Sequence, residues 1–122
     1  MASRFPFITD EQLELLLANG RMALACQEKD QNFDPSPVVK LFTPDAGATW
    51  LLAFIDPNDH DIVHGLCDLG LGFPEIGPVR LSELAEVRGM MKLPIEQDLH
   101  FRGTQRLSAY AREARMAGRI QA

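Results

Sequence analysis

Between positions 56 and 64 the chain gathers Asp56, Asp59, His60, Asp61 and His64. Imidazoles four residues apart share one face of a helix, the spacing that zinc sites use. The surrounding residues instead read as a turn entering a strand. His60 is then set back in the turn, and His64 shares a strand face with Ile62 and Leu66. No H-E-x-x-H pattern is present. The Asp56-x-x-Asp59-x-Asp61 run offers oxygen ligands to a hard cation, but it lacks the full calcium-loop pattern and its closing glutamate. A solvated acidic turn is the favoured reading. His60, His64 and Asp61 stand as weak metal candidates, and no cofactor is implied.

Nucleophiles are less well placed. Cys67 lies between Leu66 and Asp68 in a strand-like segment, where a neighbouring carboxylate would raise the thiol pKa. Ser36 falls in a Pro-rich loop, and Ser82 and Ser108 read as helix caps. None has the G-x-S-x-G setting of a hydrolase nucleophile. Gly70-Leu71-Gly72-Phe73 lacks the spacing and the following helix of a phosphate cradle, so it reads as a turn into the next strand. Asp68, Glu75, Asp98 and His100 are available for acid–base work only if the fold gathers them. Trp50 is the single tryptophan. Beside Lys40 and Thr43 it would anchor a partner if exposed, but its place at the head of an apolar run favours the core. The candidate binding residues are Lys40, Thr43, Trp50, Asp68, Glu75, His100, Arg112 and Arg115, and no catalytic residue is assigned.

The chain has 122 residues with a hydrophobic fraction of 46%, enough for one domain with one core. Cys26 and Cys67 stand apart in sequence and read as small buried side chains rather than a disulfide. No apolar run reaches the roughly 20 residues of a membrane span, and the opening residues lack the apolar centre of a secretory signal. A cytoplasmic protein is expected. The net charge of −5 is uneven: five arginines against Glu113 give residues 102–122 a charge of +4, leaving −9 on residues 1–101. An acidic body repels phosphate, so nucleic-acid contact is expected only through the basic C-terminal helix. No membrane contact is expected, and oligomeric state and partner are not legible.

The elements that would carry these residues follow from pattern. Thr9 to Gln12 has the form of a capping box, with Leu13, Leu16 and Leu17 on one helical stripe behind it. Asn19-Gly20 either ends this helix or is passed through. Val38–Thr43 and Thr49–Ile55 read as a hairpin around Pro44–Gly47. Ile62–Leu69 reads as a third strand, with Gly65 a bulge, and Pro78–Leu81 as a fourth. A short helix over Glu83–Arg88, capped by Ser82 and stopped by Gly89, follows. Leu99–Phe101 is a short fifth strand. Leu107, Tyr110, Ala111, Ala114 and Ala117 then share a helix face that stops at Gly118. Strands in succession without intervening helices imply an α+β single domain over 1–122, with a mainly antiparallel sheet of four to five strands. N-terminal, middle and C-terminal helices pack on it, and they are expected to cover one face.

Several ordered phrases are family-like: Val39-Lys40-Leu41-Phe42-Thr43-Pro44 with Thr49-Trp50, Gly65 to Gly70, Phe73 to Gly77, Leu81-Ser82-Glu83-Leu84, Val87-Arg88-Gly89 and Leu93 to Leu99. On these the chain resembles a bacterial domain-of-unknown-function family, number 2958, with the core of the match over 38–101. The resemblance implies a small cytoplasmic protein of plasmids and other mobile elements. It implies no activity. Two functions follow as expectations. One is a non-catalytic interaction or accessory module with an unknown protein partner, for which a host defence or transfer protein is the expected class. The other is a small hydrolase-like or metal-dependent enzyme using the acids and histidines of 56–68 with His100, which would require those groups to converge in a cleft.

Overall fold

A computed structural model describes residues 2–122. Its first helix, α1 (Asp10–Glu28), opens as a capping box: the Thr9 hydroxyl accepts from the Gln12 amide at 3.1 Å, and Gln12 Oε1 accepts from the Thr9 amide at 3.0 Å. Asp10 and Glu11 occupy the first turn, where the helix dipole favours them. The helix passes through Asn19-Gly20. Gly20 is buried there because a Cβ would overlap the Ile55 carbonyl oxygen, and Asn19 Nδ2 donates to the Ala53 carbonyl at 3.0 Å. This pair brings helix and strand close together instead of ending the helix.

Five antiparallel strands form one sheet, in the order β4-β3-β2-β1-β5. They are β1 (Val39–Phe42), β2 (Thr49–Ile55), β3 (Ile62–Asp68), β4 (Glu75–Arg80) and β5 (Glu96–Gln97). The hairpin and third strand lie as the sequence pattern indicates. Three details differ. The bulge falls between Leu52 and Phe54 on β2, not at Gly65. Gly65 lies opposite Leu52, where a Cβ would overlap the Leu51 carbonyl oxygen. β4 starts earlier than Pro78, because the missing N–H of proline is tolerated on an edge strand. The fifth strand is Glu96–Gln97 rather than Leu99–Phe101. The Asp98 amide still donates to the Lys40 carbonyl, but Asp98 Oδ1 then accepts from the His100 amide and turns the chain away.

The middle helix, α2 (Leu81–Leu84), is shorter than the Glu83–Arg88 span, and Ser82 is not its cap. Its first turn is held from a distance: Asp61 accepts from the Ser82 amide at 2.9 Å and from the Ser82 hydroxyl at 2.6 Å. α3 (Leu107–Ala117) is held the same way, with Asp34 accepting from the Ser108 amide at 3.0 Å and from the Ser108 hydroxyl. α3 ends on left-handed Gly118, and it buries Leu107, Tyr110, Ala111 and Ala114 but leaves Ala117 exposed.

The helices divide between two faces of the sheet, against the one-face expectation. Leu16 and Leu17 of α1 and Leu81 and Leu84 of α2 pack with Trp50, Leu52, Ile55 and Val63. The α3 stripe packs with Leu51, Ala53 and Leu66 on the opposite face. β2 has no polar residue from Trp50 to Ile55 because both its faces are covered.

Because the two caps come from separate loops, Asp34→Ala and Asp61→Ala are each expected to lower stability by about 1–2 kcal/mol, and nearly additively. Urea denaturation of both single variants and the double variant measures this.

Candidate functional site

Three loops meet at one end of the sheet: the β1–β2 turn, the β3–β4 turn and the segment 89–93. Asp45 ties the first of them to the third, and the first lies against the second at Gly47 and Gly70. The Thr43 hydroxyl accepts from the Ala48 amide at 2.9 Å and closes the first turn. Gly47 lies against the backbone of Gly70, and Gly70 and Gly72 take φ of 79° and 88°, open to glycine without strain. Asp68 is fully buried. Its Oδ1 accepts from the Gly70 amide at 2.8 Å and its Oδ2 from the Ile120 amide at 3.0 Å, which pins the chain beyond α3 to this end. Asp45 Oδ2 accepts from the amides of Met91 at 2.6 Å and Leu93 at 3.4 Å. Asp45 Oδ1 lies against Gly89 without a hydrogen-bond partner among the described residues, and a Cβ at position 89 would overlap it.

With the polar groups turned inward, apolar side chains are left outside. Leu69, Leu71 and Phe73 project from the β3–β4 turn, and Met90 and Met91 from the third loop. Phe73 is 80% exposed and Met90 93%. Five large apolar side chains are thus exposed on the loops at this end of the sheet.

The structure scatters most of the residues singled out from sequence. Trp50 is buried in the core and Thr43 in its turn, so neither is free to meet a partner. Lys40 pairs with Asp98 at 3.3 Å. The His100 amide, then the Lys40 ammonium, hold the Asp98 carboxyl below the usual carboxylate range. Glu75 is exposed at the start of the edge strand β4. His100 is exposed in a separate hollow beside Tyr110, and Arg112 and Arg115 are exposed on α3. His60 is exposed in its turn. Asp61 caps α2 and meets Arg80 at 3.5 Å; its carboxyl is lowered chiefly by the Ser82 hydroxyl. His64 stacks on Phe54, with centroids 4.7 Å apart, at the far end of the sheet. His64, Asp68 and His100 therefore do not converge. Among the described residues no three His, Cys, Asp or Glu side chains are grouped to hold a metal ion. Burial, rather than Asp68, pushes the Cys67 thiol up, because neighbouring strand residues point to opposite faces and Asp68 lies on the other one.

A family model described as a protein of unknown function, DUF2958, matches residues 7–121. The chain belongs to that family. No curated protein and no solved structure matches it. No helix among the described residues is long and apolar enough to cross a membrane.

The apolar rim escaped the sequence reading, although a signal was present. Leu69, Leu71 and Phe73 alternate with glycines in a segment that should be polar if it were only a turn.

Burial lowers the pKa of His64 from an ordinary 6.5, with Asp56 opposing the shift. The neutral ring is then favoured in the folded state. Its contribution to stability is complete above about pH 6.5 and is lost as the pH falls through the lower folded value. The lowered carboxyls of Asp61 and Asp98 lose theirs only in more acidic solution, below the ordinary 3.8. Urea midpoints measured between pH 7.5 and about 5 should fall for the native chain and stay flatter for His64→Gln.

Proposed function

We propose that this DUF2958 protein is a non-catalytic interaction module, cytoplasmic and bacterial, that serves a mobile element by docking onto a host defence or transfer protein. The apolar rim of Leu69, Leu71, Phe73, Met90 and Met91 carries this reading. Thr43 and Asp68 close their own turns and Asp45 ties the first turn to 89–93, so the loop backbones are held before a partner arrives and less ordering entropy opposes binding. Exposed leucine, phenylalanine and methionine fit a partner's apolar pocket, and methionine adapts to irregular surfaces. The exposed arginines of α3 and the acidic remainder of the chain supply charge that steers encounter and sets orientation. The dispersal of His64, Asp68 and His100 leaves the hydrolase reading without a gathered set of groups.

Leu71→Ser/Phe73→Ser removes two of these anchors. Stability should change by less than about 0.5 kcal/mol, because both side chains are solvated. Capture of a specific protein from bacterial lysate by the tagged chain, quantified by mass spectrometry, should fall at least about thirtyfold in the double variant. Arg112→Glu/Arg115→Glu should reduce capture less, and more at low salt than at high. Equal capture by the native chain and the Leu71/Phe73 variant would remove the rim from the account.

A further inference from the structure

The opposite end of the sheet carries a second feature, a cleft of about 500 Å³ between the C-terminal half of α1, the segment after it and the ends of β2 and β3. That size lies within the range of small-ligand sites. Its floor is aromatic. Phe54 and His64 stack face to face, 13° from parallel with centroids at 4.7 Å, forming one aromatic block. Phe33 leans against Phe54, with centroids 6.0 Å apart. The rim is polar: Gln27, Gln31 and Asn58 bring amides, and Asp30 and Asp56 bring carboxylates. No lysine or arginine is among the described residues that line it.

This set is selective by charge and by shape. Two carboxylates without a cation disfavour phosphates and other anions. Aromatic faces attract cations, and a planar guanidinium stacks on the outer face of such a pair while its edge N–H groups reach amide and carboxylate oxygens. Burial lowers the His64 pKa against the opposing pull of Asp56, which favours the uncharged ring. The backbone is adapted to the same end. Asp30 follows the α1 cap with φ of 55°, a left-handed position that glycine would fill with less strain, and it lines the cleft. Gly20 lets α1 sit low on β2, bringing Ala23 and Gln27 to the cleft wall.

The geometry points to a binding site for an alkylguanidinium group, seated against the stacked Phe54–His64 pair and held at its edge by Asp30 and Asp56. The group is either a free arginine-like metabolite or an arginine side chain of another polypeptide. This site lies apart from the apolar rim and stands or falls independently of it.

Titration of the full-length labelled chain with N-acetyl-arginine amide, followed through the ring resonances of Phe33, Phe54 and His64, tests it. Saturable shifts are expected in the millimolar range, with none from N-acetyl-norleucine amide, which has a similar length and no charge. Asp30→Asn and Asp56→Asn should each weaken binding about tenfold. Asparagine tolerates the left-handed backbone at 30 and keeps the acceptor for the Asn58 amide at 56, so both variants retain the fold. A short neutral peptide with one central arginine separates the sources. Binding at least about tenfold tighter than the amide identifies a polypeptide, and equal binding identifies the free cation. Absence of saturation in the native chain, equal shifts from the norleucine analogue, or undiminished binding by both asparagine variants overturns the proposal.

Discussion

Everything in this fold is arranged around β2, a strand buried on both faces and approached by a helix at backbone distance. Trp50, Leu52 and Ile55 face α1 and α2, while Leu51 and Ala53 face α3. Complete burial of such side chains contributes about 1.5–3 kcal/mol each, so this one strand anchors both layers. The seating depends on Gly20 at the Ile55 carbonyl and on Asn19 bonded to the Ala53 carbonyl, beside the bulge at Leu52–Phe54. The Asn19 amide supplies a donor where the ladder is interrupted, so an otherwise under-used buried carbonyl is satisfied.

Around that centre, carboxylates act as long-range ties. Asp34 and Asp61 hold the first turns of α3 and α2, Asp45 holds 89–93, and Asp68 joins the β3–β4 turn to the chain after α3. Each links segments distant in sequence, and each satisfies backbone amides that would otherwise lack partners. These ties give the two ends of the sheet different characters. At the Asp45 and Asp68 end polar groups are consumed internally and apolar side chains face out. At the other end Phe54, His64 and Phe33 are open beside unneutralised Asp30 and Asp56.

What could be read from sequence was what local pattern determines. The Thr9–Gln12 capping box, the Thr49–Ile55 strand, the antiparallel meander and the Gly118 stop depend on neighbours within a few residues, and all are present. The helix ends at Ser82 and Ser108 were misread because their caps come from Asp61 and Asp34, which no local window contains. Asn19-Gly20 has the composition of a turn, and only the strand beneath explains why the helix continues. The two-sided covering of the sheet is legible in the unbroken apolar run of β2, which lacks the alternation of a half-exposed strand. Candidate site residues are less legible, because site membership is a matter of distance: Trp50, Thr43 and Asp68 are held in the core and in turns, while the exposed Leu69 reads locally as a strand end and Leu71 and Phe73 as a turn.

The seating of α1 on β2 is tested most directly by the unfolding free energy of Gly20→Ala in urea. At an ordinary interior helical position this change stabilises by up to about 1 kcal/mol through helix propensity. Here the added methyl must displace the Ile55 carbonyl, so the account predicts a loss of at least about 2 kcal/mol. A gain in stability would contradict it.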